Sequence, residues 1–225
     1  MKKALFWDFD GTLIHGEATF YNALCAALSA LNYDIPHEEI KCALTTGCTW
    51  YNYNNSYVGF TGEKWWQQLF AHFARFYEKH EITSSAAEEI NLRFRAEILD
   101  YRTYTVYNDA VEVLYKCSAM GFDNYVLSNN FPELREVAYG LGLTEHIKDF
   151  FISSNIGYEK PRVEIFQYAK QAANSPETCF MIGDNPIADI QGGKKAGMKT
   201  VLIHNSGDYE ADYHCKTLSE IPALL

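Results

Sequence analysis

An apolar segment that ends abruptly in two carboxylates constrains this chain more than any other feature. Residues 5–12 read LFWDFDGT. Residues two apart on an extended segment project to the same side, so Asp8 and Asp10 converge while Gly11 permits a tight turn. Such a pair is suited to holding a divalent metal or to dividing nucleophile and acid/base roles. A turn that caps the next helix is the structural alternative.

The rest of the chain alternates short apolar runs with amphipathic segments. Strands are predicted at residues 3–8, 123–127, 148–152, 178–182 and 199–203, and helices at 109–120, 132–141, 162–173 and 187–196. This alternation predicts an α/β fold with a parallel sheet. Ligands of such sheets bind outside the carboxyl ends of the strands, where Asp8, Ser128 and Asp184 fall.

Residues 16–103 interrupt that alternation with a long, mostly helical stretch. Helices are predicted at 18–31, 37–44, 63–80 and 86–100. An insertion directly after the first carboxylate turn is expected to lie over the pocket, with hinges near 15–16 and 103–105. It would exclude water from the reaction.

Residues 45–57 within this insertion are rich in aromatic and amide side chains and lack helical periodicity. Loops of this kind often carry specificity. Trp50, Tyr51 and Tyr53 are suited to stacking on a sugar or base. Packing within the insertion's own core is an equally weighted alternative.

The charge, hydropathy and cysteines of the chain indicate which partners and which cellular location to expect. The formal net charge of −10 leaves no basic stripe for a nucleic-acid backbone, so we expect no nucleic-acid partner. No stretch is long enough to span a membrane, and the apolar amino terminus is interrupted at Asp8, so we expect no signal peptide, no membrane association and a cytoplasmic protein. The six cysteines form no CxxC pair and are expected to be reduced. A monomer and a homodimer are both compatible with the sequence.

Three later segments complete a pattern with the first. Residues 126–130 read VLSNN, 157–161 read GYEKP and 181–189 read MIGDNPIAD. In this order the four segments resemble the haloacid dehalogenase (HAD) superfamily, in its phosphatase branch with a helical cap inserted after the first motif (subfamily I, phosphoglycolate phosphatase-like). The resemblance implies a Rossmann-like doubly wound parallel sheet at residues 1–15 and 104–225, with a small α-helical cap domain at 16–103.

The resemblance also implies roles for the acidic residues. Asp8 would be the nucleophile that forms an aspartyl-phosphate, and Asp10 would protonate the leaving alcohol and later activate water. The cofactor would be Mg²⁺, held by Asp8, the backbone carbonyl of Asp10, Asp184 and the substrate phosphate. Asp189 would act on the metal through water or through hydrogen bonds, although it is also suited to complementing a helix N-terminus.

The remaining motif residues would bind the phosphoryl group. The Ser128 hydroxyl and the Asn129 backbone amide are suited to its oxygens, with helix capping as the alternative for Ser128. Lys160 would favour the ionised nucleophile, whereas a solvated surface lysine is its alternative. Thr12 would support the loop or the phosphate, unless it only caps a helix.

The expected function is a magnesium-dependent phosphatase acting on a small soluble phosphorylated metabolite. Three alternatives stay open: a phosphomutase, a haloacid dehalogenase and a non-catalytic module that binds phosphorylated metabolites. The presence of Asp10 and Asp184 argues against a dehalogenase, since that reaction needs neither the second aspartate nor a metal. Nothing in the sequence separates a phosphatase from a phosphomutase.

Overall fold

A six-stranded parallel sheet organises the protein in a computed structural model that describes residues 2–16 and 18–225. The strands are β1 (Lys3–Trp7), β2 (Phe122–Ser128), β3 (Asp149–Ile152), β4 (Thr178–Gly183), β5 (Lys199–Ile203) and β6 (Tyr213–Cys215). Their order is β3-β2-β1-β4-β5-β6, and all neighbours are parallel. The five predicted strands are confirmed, whereas the three-residue β6 is not predicted by the sequence pattern.

Strand β1 lies at the centre of the sheet with both faces buried. Leu5 and Trp7 belong to one hydrophobic cluster, and Ala4 and Phe6 belong to the other. Burial on both faces explains why this strand is continuously apolar instead of alternating. The chain builds β2 and β3 on one side of β1 and β4 to β6 on the other, so the topological switch point, where such sheets bind ligands, lies at Asp8.

Helices cover both faces of this sheet. The α-helices among the described residues are α1 (Thr19–Ala30), α2 (His37–Gly47), α3 (Glu63–Lys79), α4 (Ser84–Leu99), α5 (Ala110–Ala119), α6 (Leu134–Gly140), α7 (Ser153–Ile156), α8 (Val163–Ala172) and α9 (Gly192–Lys195). Helix α5 packs into the cluster that contains Leu5, and α8 packs into the cluster that contains Phe6. The helix predicted at 187–196 consists of a π-helical turn, Pro186–Gln191, followed by α9.

Helices α1 to α4 and their connections, which we call the helical layer, pack around aromatic rings. Helix α3 has a buried stripe that includes Trp65, Trp66 and Phe73. The Phe94 ring of α4 lies 5.8 Å from that of Phe73 and 5.7 Å from that of Phe20 on α1. This stripe recurs at helical spacing, which is why the sequence pattern predicts these helices.

The two segments that connect the helical layer to the sheet run side by side. The His15 amide donates to the Thr105 carbonyl at 2.8 Å, and the Tyr107 amide donates to the Leu13 carbonyl at 3.1 Å. Ile14 also forms a bridge with Val106 between these two bonds. Met1 and Glu17, which belong to the predicted ranges 1–15 and 16–103, lie outside the described residues.

Further contacts attach the helical layer to the sheet layer away from these connections. The indole N–H of Trp66 donates to the Glu133 carboxylate at 2.9 Å, and Arg95 donates to the same carboxylate at 2.5 Å. On another side, the Tyr57 amide donates to the Gly157 carbonyl at 2.7 Å. The helical layer is therefore held over the carboxyl edge of the sheet at more than one place.

In the described part of the chain, no helix combines the length and the apolarity that crossing a bilayer requires.

Candidate active site

A cavity of about 960 Å³ lies between the carboxyl ends of the strands and the helical layer. It brings together most of the side chains that the sequence analysis singled out: Asp8, Asp10, Ser128, Asn129, Lys160 and Asp184 from the sheet layer, and Trp50, Tyr51 and Tyr53 from the helical layer. Two predicted site residues, Thr12 and Asp189, are fully buried behind this lining.

Asp8 follows β1 directly and is fixed through one carboxylate oxygen. The Asp8 amide donates to the Ile182 carbonyl of β4 at 2.8 Å, which continues the strand pairing. Its Oδ1 accepts the Phe9 amide at 2.8 Å and lies 2.9 Å from the Lys160 ammonium. Both contacts involve Oδ1, so the second oxygen, Oδ2, is the one available to a ligand.

Asp10 is held by an asparagine that the sequence analysis did not select. The Asn130 side-chain amide donates to Oδ2 of Asp10 at 2.5 Å. Burial, and then the nearby Asp8 carboxylate, raise the pKa of Asp10 to about 7. A carboxyl with such a pKa is suited to both giving and taking a proton near neutrality. Asn130 follows the strand-end motif at Ser128, and that position is the signal that identifies it.

Asp8, Asp184 and Asp189 form an oxygen-rich cluster compatible with a magnesium ion. One carboxylate oxygen from each lies within 4.8 Å of the others. Glycine makes room for this cluster, since a Cβ at Gly11 would lie 2.5 Å from Asp184 Oδ2 and one at Gly183 would lie 2.0 Å from Asp189 Oδ2. Hard carboxylate oxygens are the donors that magnesium prefers, so the donor set fits that ion.

The environments of Asp184 and Asp189 differ. Burial and the Asp8 carboxylate raise the pKa of Asp184 to about 6. Asp189 has both oxygens occupied: Oδ1 accepts from Lys160 at 2.6 Å, and Oδ2 accepts from the Asn185 amide at 3.0 Å. This geometry favours an indirect role for Asp189.

Lys160 is a buried cation between two carboxylates. Its ammonium lies 2.9 Å from Asp8 and 2.6 Å from Asp189, with the side chain 1% exposed. Burial alone lowers the pKa of this lysine, but Asp189 and Asp8 outweigh that effect and raise it to about 12. Lys160 therefore stays charged, and the surface-lysine alternative does not describe its position.

Ser128 and Asn129 lie at the end of β2 beside Asp8. Ser128 is 1% exposed and lines the cavity, with its hydroxyl 3.4 Å from the Asn130 side-chain nitrogen. The Asn129 side chain accepts from the Lys160 amide at 2.7 Å and donates to the Lys160 carbonyl at 2.9 Å. Asn129 thereby fixes the backbone of Lys160.

Thr12 supports the loop that carries the carboxylates. It is fully buried, and its hydroxyl donates to Asp184 at 3.5 Å. Because Thr12 does not line the cavity, its position favours the loop-supporting alternative over phosphate contact.

Two residues after β5 contact the backbone of both carboxylate loops, and the sequence analysis did not select them. His204 Nδ1 lies 2.9 Å from the Gly11 carbonyl, and the Asn205 side-chain amide donates to the Asp184 carbonyl at 2.9 Å. A carbonyl only accepts, so Nδ1 of His204 carries a proton. His204 also has a φ of +54°, uncommon outside glycine. Their position after a strand, at the ligand edge of the sheet, is the signal for them.

Glu159, which precedes Lys160, is a buried carboxyl that the sequence analysis did not select. It is 1% exposed, and burial raises its pKa to about 7, an effect that the neighbouring Thr49, Ser153 and Lys160 partly offset. Thr49 belongs to the helical layer and Ser153 follows β3. Glu159 is thus a polar contact between the two layers.

The aromatic residues of the helical layer divide into packed and accessible rings. The Trp50 ring stacks on Trp65 at 5.9 Å and meets the edge of Phe20 at 4.8 Å. Tyr51 is 56% exposed although it lines the cavity, and among the described aromatic rings it pairs with Trp50 alone, at 6.3 Å between centroids. Trp50 is therefore mainly a packing residue, and Tyr51 is the ring that a ligand can reach.

Comparison with known proteins gives a family match over most of the chain. The family described as haloacid dehalogenase-like hydrolase matches residues 2–197. A phosphoserine phosphatase from Thermus thermophilus is 32% identical over 130 residues, which are 57% of this chain and 52% of that protein. The chain thus matches about half of the length of this relative.

Solved structures share the fold at low sequence identity. A 2-haloacid dehalogenase from Pseudomonas syringae superposes with a TM-score of 0.74 at 20% identity, over 100% of this chain and 98% of that one. The hydrolase YfnB from Bacillus subtilis, solved bound to magnesium, gives a TM-score of 0.72 at 20% identity with the same coverage. These similarities concern the fold, which phosphatases and dehalogenases share.

Proposed function

The chain belongs to the haloacid dehalogenase-like hydrolases, and on this premise we propose that it is a magnesium-dependent phosphatase acting on a small phosphomonoester. One observation carries the proposal: Asp8, Asp10, Asp184 and Lys160 converge on one cavity at the switch point of the sheet. The Thermus relative named as a phosphoserine phosphatase supports the same reaction class.

In the proposed reaction, Asp8 attacks the phosphorus atom of the ester. The bond between phosphorus and the alcohol oxygen breaks, Asp10 gives its proton to that oxygen, and phosphate remains on Asp8. Asp10 then takes a proton from water, whose oxygen attacks phosphorus and releases inorganic phosphate from Asp8. Two steps of lower barrier thereby replace one of very high barrier.

The positions of the side chains support this division of roles. Lys160 lies 2.9 Å from Oδ1 of Asp8 and favours the ionised carboxylate that the attack requires. Asn130 holds Asp10, whose pKa of about 7 suits a proton carrier. Ser128 and Asn129 line the same cavity, and the Ser128 hydroxyl and the Asn129 backbone amide would bind phosphoryl oxygens.

The donor set fits magnesium, which we propose as the cofactor. Asp8, Asp184 and the Asp10 backbone carbonyl would hold it, with Asp189 acting through Lys160 and the Asn185 amide. When bound, magnesium supplies positive charge that offsets the charge of the phosphoryl oxygens.

We propose further that residues 16–103 form a cap domain over a core of residues 1–15 and 104–225. The paired connecting segments and the cavity between the layers support this division. Tyr51 and Tyr53, which line the cavity, would contact the leaving group, and the Trp50 ring lies 6.3 Å from the Tyr51 ring.

The test is phosphate release from a panel of phosphorylated sugars, nucleotides, small acids and an aryl phosphate, with magnesium and with a chelator. We expect release that needs magnesium and is lost in Asp8→Asn, while Asp208→Asn, a change at an exposed aspartate, leaves it intact. Absence of release from a folded protein that binds magnesium would contradict the proposal and favour a mutase or a binding module. Halide release from a haloacid would favour a dehalogenase.

A further inference from the structure

One face of α2 lines the cavity on the side of the helical layer, and we call this face the rim. His37, Lys41, Leu44 and Thr45 all line the cavity. They occupy positions i, i+4, i+7 and i+8 of the helix, a spacing that places them on one side of it. The face carries an imidazole and an ammonium, and none of its four residues is acidic.

Lys41 lines the cavity, and its ammonium has one weak ion pair among the described residues. The other lysine of the described lining, Lys160, is engaged by Asp8 and Asp189. Lys41 has one ion-pair partner, Glu38, at 3.7 Å, a distance too long for a hydrogen bond. Its side chain is 52% exposed, so its three donors face solvent and the cavity mouth.

The acidic residues of α2 do not neutralise this face. Glu39 lies 2.6 Å from the Lys79 ammonium and 2.7 Å from His80. Glu38 has an 83% exposed side chain and lies outside the lining. In the described lining, the carboxylates are confined to the floor, at Asp8, Asp10 and Asp184.

His37 is fixed beside Lys41 by a residue of α1. The Tyr21 hydroxyl hydrogen-bonds with Nδ1 of His37, and the two rings meet at 65° with centroids 4.5 Å apart. Tyr21 itself lines the cavity. The imidazole is thereby held one helical turn from the Lys41 side chain.

From this charge distribution we propose that the rim formed by His37 and Lys41 binds a second anionic group on the substrate. The proposal rests on the phosphatase function. The substrate is then the phosphate ester of an alcohol that carries a carboxylate or a second phosphate. Its phosphoryl group binds at the floor, and its other anion accepts charge-assisted hydrogen bonds at the rim. A cavity of about 960 Å³ has room for an ester that extends from floor to rim.

The experiment compares matched esters that differ only in the second anion. One pair is 3-phosphoglycerate and glycerol 3-phosphate, and the other is fructose 1,6-bisphosphate and fructose 6-phosphate. We expect the wild type to favour at least one anionic member by about fivefold in KM, the size typical of a partly exposed ion pair. The pair that shows the preference identifies a carboxylate or a phosphate as the anion.

Three variants assign the preference to the rim. Lys41→Met should abolish it through KM while leaving the neutral esters within about twofold, and Lys41→Arg should retain it. Glu38→Gln should strengthen it, because this change removes the carboxylate nearest to Lys41. Lys64→Met, a change at an exposed lysine of α3, is the matched control and should have no effect.

Equal KM values for both members of both pairs in the wild type would overturn the inference. An equal loss on charged and neutral esters in Lys41→Met would overturn it as well. Either result leaves the phosphatase proposal standing, because phosphate is still released. If no ester is hydrolysed, the phosphatase proposal fails and this inference fails with it. Should Lys41→Met not fold, Lys41→Gln and Glu38→Gln provide the same comparison.

Discussion

The Lys160 ammonium lies 2.6 Å from the Asp189 carboxylate, and the two side chains are 1% and 0% exposed. A fully buried ion pair of this kind stabilises a fold weakly as a pair, yet losing one partner strands the other charge in a low-dielectric environment. The pair also sets the position of the ammonium beside Asp8. The contact between Lys160 and Asp189 therefore affects both the stability of the fold and the position of the ammonium next to Asp8.

Lys160→Met should lower the free energy of unfolding by about 3–5 kcal/mol, because it leaves Asp189 buried without its cation. The double variant Lys160→Met/Asp189→Leu should recover part of that loss, since no carboxylate remains at position 189, although Asp8 still lacks its cation. Urea unfolding of the two single variants and the double variant measures the coupling. Additive losses in the double variant would show that the two residues do not stabilise each other.

Glu159→Gln should change how stability depends on pH. The folded-state pKa of Glu159 is about 7, above its ordinary value of 4.5, so the unfolded chain releases this proton first as pH rises. The wild type should lose up to about 3 kcal/mol of stability between pH 4.5 and 7 from this group, and the glutamine variant should not. Urea unfolding at pH 5 and pH 8 tests this.

The control for that measurement is Glu164→Gln, where the sign is opposite. The hydrogen bond from Arg162 lowers the pKa of Glu164, so its ionised form contributes to stability above the ordinary pKa. This variant should lose stability relative to the wild type as pH rises. If Glu159→Gln and the wild type differ in unfolding free energy by the same amount at pH 5 and at pH 8, the raised pKa assigned to Glu159 is wrong.

Trp50→Ala and Tyr51→Ala should have separate effects. Trp50 packs against Trp65 and Phe20, so its removal should cost about 2–3 kcal/mol of unfolding free energy. Tyr51 is more than half exposed, so its removal should change stability by less than about 0.5 kcal/mol and raise KM for esters with a ring. Thermal unfolding measures the stability change, and KM values for esters with and without rings measure the contact with the leaving group. Equal KM changes on all esters would argue against a contact with the leaving group.

His204→Ala should weaken magnesium binding by roughly tenfold, because the Gly11 carbonyl loses the donor that holds the loop of Asp8 and Asp10. Titration calorimetry with magnesium alone measures this without substrate. His204→Asn should keep part of the affinity, since asparagine tolerates a positive φ and retains a donor. His214→Ala is the control, because His214 contacts the Tyr209 carbonyl instead. Unchanged affinity in His204→Ala would remove His204 from the support of the metal site.

The sequence predicts the parts of this fold that rest on local periodicity. The run at β1, the stripe of α3 and the turn at Gly11 follow from strand and helix spacing and from the freedom of glycine. Convergence of Asp8 and Asp184 follows because parallel strands end at one edge. Strand β6 escapes prediction because three residues, Tyr213 to Cys215, are too few to show a period.

The contacts between distant segments escape prediction for a different reason. Whether Asp189 faces a metal or Lys160 depends on the packing of a loop 29 residues away. The burial of Glu159 and the support from His204 likewise depend on which loops the sheet order brings together. The distinction between Trp50 and Tyr51 arises because only one of two neighbouring rings meets Trp65.

The two connecting segments pair with each other where the helical layer begins and ends, at His15 with Thr105 and at Leu13 with Tyr107. The insertion therefore leaves the sheet layer and returns to it at one point. Changes in its length are therefore compatible with an unchanged distance between β1 and α5, much as a long surface loop is lengthened at small entropic cost. On the proposed function, recombination that exchanges residues 16–103 would change the contacts to the leaving group while Asp8 and Asp10 keep their places.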